Sequence, residues 1–295
     1  MNELKGLGVA MVTPFKKTGE VDIAGLKKLT DHLVVGNADY LVVLGTTGES
    51  VTLSKEDKKL VLDTVMNTNN GRKPIVLGVG GNNTADIAAQ MSRTETHGIT
   101  AFLSVTPYYN KPTQNGLFEH YKALSESSKL PILLYNVPGR TGVNLLPDTV
   151  SKIAFDCRNI IGIKEASGNV EQVMSVIQQT PKEFLVISGD DALTLPLIAA
   201  GADGVISVVG NAFPKEFSEM VQHALKGDFE NARSIHYRLL DIIKLLFVEG
   251  NPAGVKEVLS QLDICGEYLR LPLVPVSHDT SEKLRHEMID QGFLS

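Results

Sequence analysis

Asn159-Ile160-Ile161-Gly162-Ile163-Lys164-Glu165 is a short apolar stretch, bounded by polar residues, that closes on a lysine. Its length and composition predict a buried strand of an α/β protein. Side chains alternate across a strand, so Ile160, Gly162 and Lys164 are expected on one face, with Gly162 leaving room beside the lysine. A lysine offered into a confined space at a strand end favours a neutral, nucleophilic amine. A surface lysine at a strand end is the competing interpretation of this segment taken alone.

The same kind of stretch recurs along the chain. Strands are expected near Gly8–Val12, Tyr40–Leu44, Pro74–Gly78, Ala101–Val105, Pro131–Tyr135, Ile160–Lys164, Phe184–Ser188 and Gly204–Val208. Helical periods lie between them, such as Ile23-Leu26-Leu29-Leu33 and Leu60-Val61-Val65. Ser54 followed by Asp57 marks the start of the second of these as an N-cap. Strands alternating with helices imply a parallel sheet, and eight such units suit closure into a (β/α)8 TIM barrel. An open doubly wound sheet is the alternative. The barrel is assigned to residues 1–225 and a C-terminal helical extension to 226–295, where Ile235, Leu239, Ile242, Ile243 and Leu246 fall at helical spacing. A further helix is expected over Pro252–Leu262. This extension would either cap the barrel or build a subunit interface.

Composition narrows the function classes. The chain has 295 residues, enough for one large α/β barrel with an appendage. With 28 basic against 34 acidic residues, and no basic run, a nucleic-acid partner is not expected. Cys157 and Cys265 read as small core residues with reduced thiols rather than a disulfide. No signal h-region and no spanning apolar run occur, so a cytoplasmic protein without membrane segments is expected. The chain lacks a phosphate-binding Gly-x-x-x-x-Gly-Lys-Ser/Thr loop and a His-Glu-x-x-His pair, and its glycine cluster Gly78–Asn83 lacks the third glycine of a dinucleotide fingerprint. The histidines, His97 and His120 among them, show no metal-ligand spacing.

Working residues of such barrels sit where strands end and loops begin. There the chain places Gly45-Thr46-Thr47-Gly48-Glu49-Ser50, a hydroxyl-rich turn whose backbone N–H groups suit a carboxylate or phosphate. Thr106-Pro107-Tyr108-Tyr109-Asn110 follows the fourth strand, a weaker signal because loop tyrosines often only pack. Tyr135 ends the fifth strand and can carry protons when hydrogen-bonded. Arg140 follows on a Pro-Gly turn, shaped for two-point binding of a carboxylate. Gly189 follows the seventh strand, where it lets backbone approach a ligand or serves a tight turn. An amine, a tyrosine, an arginine and two threonines at one end of a barrel suit carbonyl chemistry through a Schiff base.

Three segments, Gly45–Ser50, Tyr135-Asn136-Val137-Pro138-Gly139-Arg140-Thr141 and Gly162-Ile163-Lys164-Glu165-Ala166-Ser167-Gly168, resemble the signatures of the 4-hydroxy-tetrahydrodipicolinate synthase family. The resemblance extends to Arg270-Leu271-Pro272-Leu273 and so covers nearly the whole chain. It implies a lyase of the class I aldolase type that condenses pyruvate with L-aspartate 4-semialdehyde, toward diaminopimelate and lysine. By analogy Lys164 forms the imine with pyruvate, and Thr46 and Thr47 hold its carboxylate. Tyr135, Thr46 and Tyr109 form a proton relay, with Tyr109 entering from a neighbouring subunit. Arg140 binds the carboxylate of the semialdehyde, and Gly189 and Ile206 line the site through backbone groups. The resemblance also implies a homotetramer built as a dimer of dimers, with no metal and no organic cofactor.

N-acetylneuraminate lyase and the 2-keto-3-deoxy sugar acid aldolases share the fold and the lysine. Arg140 favours the synthase, because its second substrate carries a carboxylate, whereas a sugar chain needs more polar side chains in that loop. A barrel that only binds, without turnover, is the remote alternative. Ser50, Val51, Asn82, Asp86 and Tyr108 match a site where many members of the family bind lysine as an inhibitor. Lys55 and Lys58 stand where sensitive bacterial members carry histidine, and like-charge repulsion there predicts weak or absent inhibition.

Overall fold

Strands covered by helices on one side and closed around one another on the other are buried on both faces, which is why they are continuous apolar runs. The computed structural model describes residues 2–294. Its strands are β1 (Gly6–Ala10), β2 (Tyr40–Val43), β3 (Ile75–Gly78), β4 (Ala101–Val105), β5 (Ile132–Asn136), β6 (Ile160–Glu165), β7 (Leu185–Ser188) and β8 (Gly204–Ser207). Each pairs in parallel with the next, and β8 pairs with β1, closing a barrel. The (β/α)8 expectation is met and the open sheet is excluded.

Two apolar layers result. Tyr40, Val42, Val76, Leu103, Leu133, Leu185, Ile187 and Ile206 fill the barrel, and Leu4 closes its lower end. Val9, Leu41, Val43, Phe102, Leu134, Ile163, Val186 and Val205 face the helices. The helix Lys55–Asn69 starts where expected: Ser54 accepts from the Asp57 N–H and Asp57 accepts from the Ser54 N–H, a capping box. In the helix Phe229–Phe247, Leu239, Ile242, Ile243 and Leu246 are buried in the same cluster as the barrel helices. The helices Ala253–Gln261 and His278–Asp290 complete the chain's C-terminal part. Among the described residues no helix is long and apolar enough to cross a membrane. Cys157 and Cys265 are buried free thiols, and burial pushes Cys265 up to about 11.

Three local expectations need correction. The first strand starts at Gly6, not Gly8, and ends before Val12, because the Val12 N–H is taken by the Asn211 side chain at 3.0 Å instead of a neighbouring strand. In β6, Ile160 does not share a face with Gly162 and Lys164. The register steps from Ile132↔Ile160 to Leu133↔Gly162, leaving Ile161 as an extra residue. That bulge puts Ile160 in the outer layer and Ile161 in the inner one. Nor does Gly162 make room for the lysine: a Cβ there would meet the Leu185 carbonyl oxygen at 2.5 Å and Leu133 at 3.0 Å.

Two buried titratable groups give the fold a testable pH signature. Asp191 is pushed up to about 6 by burial, although its Oδ2 accepts from the N–H groups of Val208 and Val209. His120, on the helix Gln114–Ser127, is lowered to about 4 by burial. The Asp191 contribution is full below about pH 4 and is lost as pH rises through about 6. The His120 contribution is present above about 6.5 and is lost as pH falls through about 4. Over about pH 4–6 the two slopes oppose and nearly cancel. Asp191→Asn leaves His120 alone, so the variant should lose about 1.4 kcal/mol per pH unit relative to the parent as pH drops from 6 to 4. His120→Gln should gain by the same slope. Urea titrations at several pH values read both, and parallel curves for parent and variants would refute the assignment.

Candidate active site

The C-terminal ends of the strands surround a cavity of about 280 Å³ lined by Leu44, Gly45, Thr46, Gly78, Leu103, Val105, Tyr135, Val137, Arg140 and Thr141 on its barrel side. Tyr135 and Lys164 are register partners on adjacent strands, so parallel pairing alone sets them side by side. Lys164 is buried, and its Nζ lies 4.4 Å from the centroid of the Tyr135 ring. The lysine thus packs against the tyrosine that lines the cavity and is not itself among the lining residues.

Gly189 answers the question left by the sequence. A Cβ on it would meet the Ala166 Cβ at 2.6 Å, the Lys164 Cε at 3.0 Å and the Glu165 carbonyl oxygen at 3.1 Å. A side chain at this position would crowd Ala166 first and the lysine stem next. Ile206 is buried in the barrel interior on β8.

Thr46 is exposed to the cavity, whereas Thr47 is buried and its Oγ1 accepts from the Asn251 side chain at 3.0 Å. The turn uses part of its own backbone: the N–H groups of Gly48 and Glu49 bond to the carbonyls of Gly45 and Thr46. Among the described residues, the N–H groups of Thr46 and Thr47 make no hydrogen bond. They are among the donors left for an anion. Arg140 lies exposed on a single helical turn, Pro138–Thr141, and lines the cavity.

Tyr109 is not part of this cavity. It is 88% exposed, with a left-handed φ of 73° that turns it outward, and Tyr108 lines the cavity instead. On the far side the cavity also meets Ser50, Val51 and Lys58. Asn82 lies beside this group, donating to the Tyr108 carbonyl at 3.3 Å, while Asp86 accepts from Asn83 in the first turn of the helix Thr84–Arg93. Lys55 is exposed at the start of its helix.

Sequence reasoning missed the supports behind these residues. Glu165, next to Lys164 but on the outer face, is buried and accepts from Asn136 Nδ2 at 3.0 and 3.2 Å, from Gln172 Nε2 at 3.1 Å and from the Ser167 N–H at 2.8 Å. This carboxylate braces the ends of β5 and β6. Glu49 is likewise buried and pairs with Lys256, 207 residues away in sequence. A polar residue inside an apolar pattern was the available signal for Lys256, between Val255 and Val258 in the expected final helix.

A profile of the Dihydrodipicolinate synthetase family matches residues 3–291. The chain is 51% identical over 284 residues to the 4-hydroxy-tetrahydrodipicolinate synthase of Flavobacterium psychrophilum, covering 96% of this chain and 97% of that one. It superposes on the dihydrodipicolinate synthase of Thermotoga maritima with a TM-score of 0.96 at 42% identity, covering 98% and 99% of the two chains. The Cyanidioschyzon merolae enzyme, solved with lysine bound, gives a TM-score of 0.95 at 38% identity over 99% of both chains. Matched from end to end in sequence and in shape, the chain belongs to the dihydrodipicolinate synthetase family.

Proposed function

We propose that the chain is a 4-hydroxy-tetrahydrodipicolinate synthase that joins pyruvate to L-aspartate 4-semialdehyde through an imine on Lys164. The observation that carries this is the buried amine of Lys164 against Tyr135, under a cavity that Thr46 and Arg140 also line. Nζ adds to the keto carbon of pyruvate, and the carbonyl oxygen leaves as water after proton transfer. The protonated imine withdraws electrons, so the methyl group loses a proton and becomes an enamine carbon nucleophile. That carbon attacks the aldehyde of the second substrate. Tyr135 and Thr46 carry protons between these steps, joined by Tyr109 of a second copy. Thr46 and Thr47 bind the ketoacid carboxylate, Arg140 binds that of the semialdehyde, and Gly189 and Ile206 shape the wall. The imine makes an organic cofactor unnecessary. The second copy that supplies Tyr109 belongs to a homotetramer, and a biosynthetic role fits a cytoplasmic protein.

Turnover with pyruvate plus aspartate semialdehyde, against pyruvate plus N-acetylmannosamine, is the direct test. Activity on the second pair alone would replace the synthase by a sugar-acid lyase.

Gly189→Ala should lower kcat by about 10- to 100-fold, because the added methyl meets Ala166 and crowds the lysine stem beside it, shifting the amine from its attacking position. A kcat within twofold of the parent would refute that role. Lysine should not inhibit at sub-millimolar concentration, since Lys58 adds positive charge to the cavity beside Ser50, Val51 and Tyr108. Half-inhibition below 1 mM would overturn this expectation.

A further inference from the structure

We infer that Glu49 is a positioning residue for the ketoacid carboxylate, and that Lys256 and Asn251 of the C-terminal helical part hold the binding turn in shape through it and through Thr47. The inference rests on the ketoacid half of the proposed function. Glu49 is 2% exposed and Lys256 0% exposed, and Nζ lies 2.5 Å from the Glu49 Oε1. The other carboxylate oxygen accepts from the Arg270 N–H at 3.1 Å, and Lys256 also donates to the Tyr268 carbonyl at 2.8 Å. Burial pulls the Lys256 ammonium below its usual value, opposed by the Glu49 charge.

Glu49 takes a left-handed φ of 51°, a conformation that a residue with a side chain adopts only when its surroundings require it. Lys256 and the Arg270 N–H supply that requirement. Each successive residue of the turn is tied down: Thr47 by Asn251, Gly48 by the Thr13 hydroxyl on its carbonyl at 2.7 Å, and Glu49 by Lys256. Two consequences bear on binding. The Thr47 hydroxyl accepts from Asn251, so its own hydrogen is free to donate elsewhere. The backbone course held at Glu49 keeps Thr46 and Thr47 among the turn's unpaired N–H donors. None of these tethers touches Arg140, so they act on one substrate only.

The test is the concentration of pyruvate that half-saturates borohydride trapping on Lys164, read with the melting temperature. Glu49→Gln combined with Lys256→Met removes both buried charges, and Asn251→Ala removes the second tether while leaving them. Folded protein of either variant should require at least fivefold more pyruvate, with KM for the semialdehyde within twofold of the parent. A support that only stabilises the fold would shift the melting temperature and leave half-saturation unchanged. Half-saturation within twofold of the parent in a folded variant overturns the inference; if the double variant does not fold, Asn251→Ala decides it. No trapping in the parent protein would instead overturn the proposed function.

Discussion

Lys164→Ala should lower kcat by roughly 10³-fold or more, the loss expected when a covalent nucleophile is removed. The melting temperature should stay within a few degrees of the parent. Among the described residues the lysine makes no ion pair, and its Nζ lies against the Tyr135 ring, so its removal strands no partner charge. Borohydride with pyruvate should add a reduced pyruvyl mass to the parent at the peptide containing Lys164 and nothing to the variant. Residual activity within tenfold, or labelling of another lysine, would remove the mechanism. Arg140 provides the contrast. It is exposed on a separate turn, so its loss should act on KM for the semialdehyde while trapping of pyruvate persists.

The difference between these two residues also shows what the sequence could reveal. Strands β2 to β8 were legible because each is buried on both faces, which makes a continuous apolar run whatever its neighbours. Lys164 and Tyr135 were legible as strand ends, and parallel register then brings them together without further information. The bulge at Ile161 was not legible, because an extra residue on β6 exists only relative to the strand beside it. The role of Gly189 was half legible: a glycine was seen, but its purpose depends on a lysine stem arriving from β6. The pair of Glu49 and Lys256 was hidden for the same reason. Lys256 stands out inside an apolar pattern, but nothing near it in sequence names Glu49 as its partner, and the two residues meet only once the barrel has closed and the C-terminal helices have packed.

That pair carries the second large effect. Lys256→Met should destabilise the protein by about 3–5 kcal/mol, because the Glu49 carboxylate stays buried without its cation. Against a total of roughly 5–15 kcal/mol for a folded domain, this is a large fraction. It should appear as a melting temperature lower by on the order of 10 °C. Adding Glu49→Gln to Lys256→Met should recover most of the loss, since a neutral amide and a thioether carry no charge to desolvate. The single and double variants therefore separate two sources of stability. If the pair is worth its attraction, the double variant remains as weak as the single one. If the damage is the stranded charge, the double variant returns toward the parent in urea titration. The geometry favours the second outcome: the Arg270 N–H still reaches position 49, and the Phe15 ring, 4.2 Å from Nζ, offers an apolar surface to a methionine. A loss below about 1 kcal/mol in Lys256→Met would mean that water reaches Glu49 when its partner is gone, and would refute the dry tether on which the binding turn is argued to depend.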